Sequence, residues 1–315
     1  MGKNLPFGKR LSKNGISRRD FLKFCGIMAA TLGLPESFVP KIAQALSAAV
    51  RPPVVWLEFQ DCTGDTESFL REPTITSLLL ETVSLDYHET LMVPSGELAE
   101  KSRIDTIQNY PGQYICIVEG SIPTANNGVY CTIGGRSGLS IAQEVCGNAL
   151  MTIAVGTCAW DGGIAAAVPN PTGAMGVKDA LPGLTNLINL PGCPVNAYNI
   201  AATIVFYLTN QQWPPTDSQR RPIFAYGEEI HEECPRHDHY EAERFVLAWG
   251  DQGHRNGWCL FRMGCKGPRT RNNCHTVKWN GGTNWPVGAG HGCIGCATAK
   301  FWDNLTPFYQ ALPGD

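Results

Sequence analysis

Thirteen cysteines spread over 315 residues limit this chain more than any other feature. Small secreted domains use many cysteines in disulfides because their cores are too small, but a chain of this length buries a core without cross-links. Ordinary cytosolic enzymes carry far fewer thiols. We therefore expect most of these cysteines to bind metal.

The first fifty residues differ from the rest of the chain. Residues 17–23 (SRRDFLK) follow the twin-arginine export pattern within a basic stretch that begins at Lys3. The apolar run from Phe24 to Leu34 is too short to span a bilayer. Residues 43–45 and 47–49 both fit a cleavage site. We expect residues 1–50 to be a signal peptide that sends a folded protein to the periplasm, where it is free or peripheral to the inner membrane; an amphipathic basic helix is the alternative.

The remaining residues, 51–315, are acidic. They hold 17 lysines and arginines against 26 aspartates and glutamates, which argues against nucleic acid or anionic lipid as a partner. Nothing in them resembles a transmembrane helix. We expect any attachment to a membrane to come through another subunit.

Residues 51–225 alternate between strand and helix patterns. Strands are predicted at 53–59, 84–92, 113–118, 150–155 and 187–190, and helices at 68–84, 95–108, 137–148 and 199–209. This alternation predicts an α/β domain with a flavodoxin-like parallel sheet. Cys62, Cys158 and Cys193 each follow a predicted strand. Because ligands bind beyond the carboxyl ends of such strands, we expect these three thiols to converge.

The composition changes at about residue 226. Residues 226–315 contain six of the thirteen cysteines, six of the seven histidines and five of the eight tryptophans, with little hydrophobic periodicity. We expect a C-terminal domain with little regular secondary structure that is organised by metal. One candidate ligand set is His231, Cys234, Cys259 and Cys265, and a second is Cys274, Cys293 and Cys296. Spacing alone leaves zinc and iron–sulfur clusters equally open.

The short motifs around these residues decide between the two. Ten segments, in the family's own order, closely resemble the small subunit of nickel–iron hydrogenases: residues 61–64 (DCTG), 119–123 (EGSIP), 156–158 (GTC), 192–194 (GCP), 230–236 (IHEECPR), 257–260 (GWCL), 264–268 (GCKGP), 290–296 (GHGCIGC), 301–303 (FWD) and 307–309 (PFY). The resemblance covers the whole chain, including the export signal.

The resemblance implies three iron–sulfur clusters. It assigns Cys62, Cys158 and Cys193 to a proximal 4Fe–4S cluster that faces the nickel–iron subunit. It assigns the set that begins at His231 to a distal 4Fe–4S cluster near the surface, and the set that begins at Cys274 to a medial 3Fe–4S cluster. Pro286 stands where a fourth medial ligand would be, and proline has no side-chain donor.

One proximal position departs from the family. The usual C-T-G-C pattern has a fourth cysteine where this chain has Asp65. Our hypothesis is that the carboxylate of Asp65 binds the fourth iron; the alternative is an unligated aspartate beside a three-iron or solvent-capped cluster. Glu119 offers either a second carboxylate near the cluster or a hydrogen-bonded anchor for the loop. The two further proximal cysteines of oxygen-tolerant relatives are replaced here by Gly64 and Gly163.

These features predict the electron-transfer subunit of an exported hydrogenase. Hydrogen would be split at a nickel–iron centre in a larger partner subunit, since this chain has no set of four thiolates for nickel. Electrons would pass to a cytochrome b or c type acceptor, in a heterodimer or a larger assembly. The alternatives are an iron–sulfur subunit of another respiratory complex and an exported protein with structural zinc or disulfides.

Overall fold

The computed structural model describes residues 6–48 and 50–312. Lys3 and Ala49 of the predicted signal peptide and residues 313–315 of the predicted C-terminal domain lie outside these ranges. Within the described residues the strands are β1 Pro53–Glu58, β2 Ser84–His88, β3 Ile115–Glu119, β4 Ile122–Pro123, β5 Thr132–Ile133, β6 Arg136–Ser137, β7 Met151–Val155, β8 Ala174–Met175 and β9 Leu187–Leu190.

The helices are longest in the first two thirds of the chain. They are α1 Phe7–Lys13, α2 Arg18–Thr31, α3 Val39–Ala48, α4 Gly64–Leu70, α5 Pro73–Thr82, α6 Glu97–Asn109, α7 Gly138–Gly147, α8 Gly156–Asp161, α9 Val177–Ala180, α10 Ala197–Asn210, α11 Ile223–Tyr226, α12 His237–Glu241, α13 Gln252–Arg255, α14 Cys274–Val277 and α15 Phe301–Asn304. Short 3₁₀ turns cover Glu36–Phe38, Ala125–Gly128, Gly163–Ala166, Phe261–Met263 and Gly267–Arg269.

Five strands form the central sheet in the order β2-β1-β3-β7-β9, and each pair of neighbouring strands is parallel. This is the flavodoxin-like order, so the predicted fold class is confirmed. The carboxyl ends of four strands lie level, because Glu58 pairs with Glu119, Glu119 with Val155, and Val155 with Leu190. The loops that follow these strands therefore leave the sheet side by side.

The two faces of the sheet carry separate apolar cores. Trp56, Ile117 and Ile153 point to the face covered by α5 and α10, while Leu57 and Val118 point to the face covered by α7. Side chains on a strand alternate between faces, so a strand with both faces buried has no position that points to solvent. This explains the continuous apolar run of β1, which is buried along its whole length.

One predicted helix is two helices. The pattern over residues 68–84 predicted a single helix, but the chain forms α4 and α5 with a break at Arg71 and Glu72. Pro73 occupies the first position of α5. Proline lacks the N–H that a helix interior needs and fits a first turn well, so it ends one helix and begins the next.

The N-terminal helices were not predicted to belong to the core. Helices α1, α2 and α3 pack on α5 and α10, and Phe24, Met28 and Ile42 are fully buried in the same apolar cluster as the sheet. The predicted boundary at residue 50 therefore does not separate two packing units in this structure.

The C-terminal residues have little regular structure, as predicted. Helices α12 to α15 have four or five residues each, and the apolar side chains there form two small clusters. One surrounds Trp285 and Val287, and the other surrounds Phe301 and Leu305. Within the described ranges, no helix has the length and apolar character needed to cross a membrane.

Candidate metal centres

The first centre, which we call the proximal site, comprises Cys62, Asp65, Cys158 and Cys193. Cys62 and Cys193 lie in the loops after β1 and β9 and are exposed, while Cys158 lies in α8 directly after β7. Although Cys193 is partly exposed, the protein around it desolvates the thiol and raises its pKa to about 12, and nearby Cys296, Cys158, Asp65 and Cys62 add to the shift. The three predicted thiols therefore converge at the carboxyl edge of the sheet.

Asp65 lies between the other proximal loops. The N–H of Val195, two residues after Cys193, donates to Asp65 Oδ1 at 2.6 Å. Its other oxygen lies against Gly156, where an added Cβ would come within 2.0 Å of Oδ2. Gly156 has φ +81°, so the turn into the Cys158 loop needs glycine for its backbone as well as for this contact. The carboxylate thus lies beside the loops that carry Cys158 and Cys193.

The protonation of the site argues for a cation. Burial raises the pKa of Asp65 well above its usual range, and the charge of Glu119 raises it further. Burial also raises the pKa of Cys158 to about 12. Anionic thiolates and carboxylates can persist in such a place only beside a positive charge, and bound metal supplies one. The donor set, three thiols and one carboxylate, fits an iron–sulfur cluster.

Glu119 anchors the loop that carries Asp65. Its side chain is 1% exposed, and it accepts hydrogen bonds from the N–H groups of Asp65 (2.9 Å) and Thr66 (3.2 Å). The hydroxyl of Thr66 donates to it at 2.6 Å and the indole N–H of Trp56 at 3.1 Å. Glu119 is therefore a hydrogen-bonded anchor for this loop, and its carboxylate lies beside the first turn of α4.

A histidine extends this network away from the metal residues. His88 Nε2 lies 3.2 Å from Thr66 Oγ1, and the N–H of Thr90 donates to His88 Nδ1 at 3.3 Å. Nε2 therefore carries the proton and donates to Thr66. Burial lowers the pKa of His88 to about 4, which keeps the ring neutral. Sequence analysis did not single out His88, because no short motif marks it.

Two glycines adjoin the proximal thiols. A Cβ at Gly163 would lie 2.5 Å from Cys158 Sγ, and one at Gly64 would lie 3.0 Å from Cys62 Sγ. These positions therefore border the site, where the resemblance to oxygen-tolerant relatives put them. A side chain at Gly64 would need the Cys62 thiol to move, and one at Gly163 would also meet the Cys158 backbone, with Cα at 2.9 Å.

The second centre, the distal site, is a cavity in the C-terminal residues. Its walls include all four predicted ligands, His231, Cys234, Cys259 and Cys265. Burial lowers the pKa of His231 and nearby His237 lowers it further, so the ring is neutral, as a metal ligand must be. Burial raises the pKa of Cys259 to about 11. One imidazole and three thiols around one cavity suit a four-ligand cluster.

Arg236 and His237 also line this cavity, and neither was predicted to do so. The N–H of Arg236 donates to Cys234 Sγ at 3.4 Å, and its guanidinium donates to the carbonyl of Trp258 at 2.9 Å. The His237 ring packs edge-on against His231, with centroids 4.8 Å apart. Both residues come within three positions of Cys234, and this closeness in sequence to the predicted ligands was the signal that could have indicated them.

His239 and His254 are both half-buried. His254 Nε2 lies 3.0 Å from the carbonyl of Gly290, and its Nδ1 accepts from the N–H of Gly250. His239 has a buried Nδ1 with no hydrogen-bond partner among the described residues. His254 therefore ties two loops together.

The third centre, the medial site, is the most buried of the three. Cys274 and Cys293 are buried, and Cys296 is half-buried. Burial raises the pKa of Cys274, and the neighbouring Cys296 raises it further. Burial also raises the pKa of Cys293, and the thiols of Cys265, Cys296 and Cys274 add to that shift. The three predicted medial cysteines are therefore mutual neighbours.

The medial site contacts both of the others. The N–H of Cys293 donates to Cys265 Sγ at 3.2 Å, which connects the medial and distal sites. Thr157 Oγ1, beside Cys158, donates to the carbonyl of Cys296, which connects the medial and proximal sites. These contacts place the medial residues next to both the proximal and the distal residues.

Pro286 is exposed and lies between Trp285 and Val287, which pack in the same cluster as Cys274 and Cys293. Its carbonyl accepts from the N–H of His291 at 2.9 Å. It is thus adjacent to the medial site, and the fourth-ligand position itself stays a prediction.

The remaining cysteines pack as apolar side chains. Cys116 and Cys146 are fully buried on β3 and α7, with their sulfurs 3.7 Å apart, and Cys131 packs beside them. Cys25 lies in α2 and is buried in the apolar cluster that α2 shares with the sheet. Free buried cysteine commonly behaves as a small hydrophobic side chain.

Comparison with known proteins supplies the family. The family model for the C-terminal part of the NiFe/NiFeSe hydrogenase small subunit matches residues 226–309, and one described as NADH ubiquinone oxidoreductase, 20 Kd subunit, matches residues 62–207. The chain is 48% identical over 306 residues to the periplasmic [NiFe] hydrogenase small subunit 1 of Nitratidesulfovibrio vulgaris Hildenborough, covering 96% of each chain. The chain belongs to the nickel–iron hydrogenase small-subunit family.

Other members agree in sequence and in fold. The hydrogenase-2 small chain of Escherichia coli K12 is 45% identical over 289 residues, covering 91% of this chain and 77% of that one. The solved Ni-Fe-Se hydrogenase of Desulfomicrobium baculatum superposes with a TM-score of 0.78 at 34% identity, covering 84% of this chain and all of that one. Members of this hydrogenase family pair with a large subunit that holds the nickel–iron centre, and the small one carries iron–sulfur clusters.

Proposed function

We propose that this chain relays electrons through three iron–sulfur clusters between the nickel–iron centre of its partner and an external acceptor. The observation that carries the proposal is the row of three donor sets, linked at Thr157–Cys296 and at Cys293–Cys265. Such a row suits stepwise electron transfer, and this one chain supplies every predicted metal ligand in it.

The donor sets support the cluster types. Cys62, Asp65, Cys158 and Cys193 would hold a proximal 4Fe–4S cluster. The set that lines the distal cavity, which includes His231, would hold a second 4Fe–4S cluster. Three medial thiols, beginning with Cys274, would hold a 3Fe–4S cluster. When bound, these clusters supply one-electron redox chemistry; the chain itself excludes water and fixes the spacing.

Asp65 would bind iron through a carboxylate oxygen. Three features support this: the position next to the Cys158 and Cys193 loops, the hydrogen bond from Val195, and the anchoring of its own backbone by Glu119. A buried carboxylate without a cation would be costly. The unligated alternative would leave Asp65 protonated beside a three-iron or solvent-capped cluster.

Exposure of two proximal thiols supports the assignment of the two ends of the relay. Cys62 and Cys193 are exposed, so the proximal site would face the large subunit. The distal cavity lies in the C-terminal residues and would face the acceptor, a cytochrome of b or c type. Oxidation of hydrogen would send electrons outward along this row, and the reverse flow would produce hydrogen.

Residues 17–23 support export by the twin-arginine route to the periplasm. This route carries folded proteins, which suits a chain whose metal must be inserted before it meets an oxidising compartment. In the enzyme the chain would form a heterodimer or a larger assembly and would reach a membrane only through another subunit.

The deciding experiment is a metal count on the complex purified anaerobically from its own host. We expect about twelve irons and one nickel per heterodimer, the sum of two four-iron clusters, one three-iron cluster and the iron of the active site. A complex with zinc, or with paired cysteines and no iron, would overturn the proposal and favour the exported structural protein. Iron without nickel would favour another respiratory complex.

The export route has a separate test. Replacing both Arg18 and Arg19 with lysine should keep the enzyme in the cytoplasm, because the route depends on arginine and not on charge alone. Lys9→Arg is the control, since it keeps a cation in the basic stretch outside the motif. Equal periplasmic hydrogenase in both variants would rule out this route.

A further inference from the structure

The N-terminal residues 7–48, here called the N-terminal segment, cover one side of the α/β domain. Helix α2 contacts α5 and α10, and α3 contacts α10. The segment's apolar side chains are buried against these helices; those with no more than 1% exposure are Phe24, Cys25, Met28, Ile42 and Leu46. We call the covered side of α5 and α10 the docking face.

Polar contacts fix the segment at both ends of the docking face. Arg10 Nε lies 3.3 Å from Glu81 Oε2, Arg10 Nη2 donates to the Glu81 carbonyl at 3.1 Å, and Asn14 also donates to the Glu81 carboxylate. At the other end, Lys41 Nζ donates to Asn210 Oδ1 at 3.1 Å, just after α3 begins. Packing and polar contacts together specify one position for the segment.

Helix α2 presents two different sides. Arg18, Arg19 and Lys23 of the export motif are exposed, and Leu22 is 51% exposed. Phe24 and Met28, in the apolar run that follows, are fully buried. A capping box between Ser17 and Asp20 starts the helix at the arginine pair. The charged part of the motif is therefore accessible while its apolar part is covered.

We propose that the docking face binds the chain's own N-terminal segment in the folded precursor and keeps its apolar run away from the export machinery until the segment is released. The holding role rests on the export route proposed above, whereas the docking itself does not. An export signal must present its apolar run to a membrane, and a run packed in a protein core cannot do so.

Cys25 is a built-in reporter of docking. It lies on the buried side of α2, and burial raises the pKa of its thiol to about 12. Docking should therefore slow alkylation in two ways, because it blocks access to the sulfur and lowers the fraction of reactive thiolate. We would treat the anaerobically purified, cluster-loaded precursor with iodoacetamide and follow the Cys25 peptide by mass spectrometry. We expect labelling on the order of 100-fold slower than in the urea-unfolded chain. Equal rates would overturn the proposal.

Two substitutions on α2 form a matched pair. Met28→Glu puts a charge into the covered side and should speed Cys25 labelling by on the order of 10-fold or more. Leu22→Glu puts the same charge on the exposed side and should leave labelling unchanged. The same acceleration in both variants would mean that the helix is labelled without a specific docked position.

The holding role is tested from the docking face, so that the signal stays intact. Glu81→Ala removes the carboxylate that binds Arg10 and Asn14 and should speed both Cys25 labelling and periplasmic appearance in a pulse–chase. Glu67→Ala removes a carboxylate whose partner, Arg71, lies outside the segment at 2.8 Å, and should change neither. Hydrogenase activity of the exported enzymes shows that both variants fold.

The outcomes separate the two claims. Faster labelling of Glu81→Ala with unchanged export would overturn the holding role. Normal export of the variant in which Arg18 and Arg19 are both lysine would overturn the twin-arginine route, and the holding role with it. Slow labelling of Cys25 that Met28→Glu speeds and Leu22→Glu leaves unchanged would establish the docking in either case.

Discussion

The backbone N–H of Cys293 donates a hydrogen bond to the sulfur of Cys265 at 3.2 Å. A medial residue thus contacts a distal one directly, and the N–H of Lys266 returns the contact by donating to the Cys293 carbonyl at 2.7 Å. Hydrogen bonds to cluster sulfurs tune redox potential. The pair therefore links the two sites, and the Cys293 N–H would stabilise negative charge on the Cys265 sulfur.

Replacing Asp65 tests its role as a ligand. Asp65→Asn substitutes a neutral, weaker donor, so the proximal cluster should lose an iron or shift to a higher potential by on the order of 100 mV. Redox titration followed by electron paramagnetic resonance measures both. Asp61→Asn is the control, since the carboxylate of Asp61 caps the N–H of Thr63 at 3.0 Å. An unchanged spectrum and potential in Asp65→Asn would remove Asp65 from the ligands.

Replacing Thr66 tests the buried network. Thr66→Val keeps the shape but removes the hydroxyl between Glu119 (2.6 Å) and His88 (3.2 Å), so two buried groups lose a partner. We expect a loss of about 1 to 3 kcal/mol and a lower apparent Tm. Thr82→Val is the matched control, because the buried Thr82 hydroxyl bonds within its own helix, to the Leu79 carbonyl. Equal losses would mean that the network adds nothing.

His88 should make stability depend on pH. Burial lowers its pKa from 6.5 to about 4, so between these values the unfolded chain binds a proton that the folded chain does not. The stability contributed by the neutral ring is complete above pH 6.5 and is lost as pH falls toward 4, by up to about 3 kcal/mol.

The measurement compares apparent Tm for wild type and His88→Gln between pH 5 and 8. The comparison is needed because burial raises the pKa of Asp61 to about 6 and of Glu89 to about 7, and these groups favour the folded state at low pH instead. Wild type should lose more stability than the variant as pH falls. Parallel curves would show that His88 does not titrate in this way.

Arg236 should raise the potential of the distal cluster. Burial raises the pKa of Cys234, but the Arg236 N–H and its positive charge lower it, so the residue favours negative charge at this sulfur. Arg236→Gln should therefore lower the distal potential by on the order of tens of millivolts. Arg255→Gln is the control, because its guanidinium also binds a carbonyl, that of Gly250, outside the cavity wall. Equal shifts would point to a general charge effect.

Much of the site could be predicted because its chemistry is local. The order of strands puts Cys62, Cys158 and Cys193 at one edge of the sheet, and this follows from the fold class alone. The surroundings of Asp65 could not be predicted, since Glu119 lies 54 residues away and His88 lies on another strand. Which polar side chains meet in a core depends on the register between strands, which no short motif records.

The docked position of the N-terminal segment could not be predicted either, because it also depends on residues far away in the sequence. The run from Phe24 to Leu34 is apolar, and this composition predicts burial in a membrane or in a protein equally well. The choice depends on the side of α5 and α10 that the sheet leaves uncovered. That surface forms from residues more than forty positions further along the chain.

The contacts of residues 293–296 have a consequence for repair. This one loop supplies two medial thiols, a hydrogen bond to a distal sulfur, and the carbonyl that Thr157 binds beside the proximal site. Oxidation that destroyed the distal centre would also loosen the wall of the next one. Damage that starts at the distal site would therefore reach the medial site through this loop, and restoring one centre alone would not restore the other.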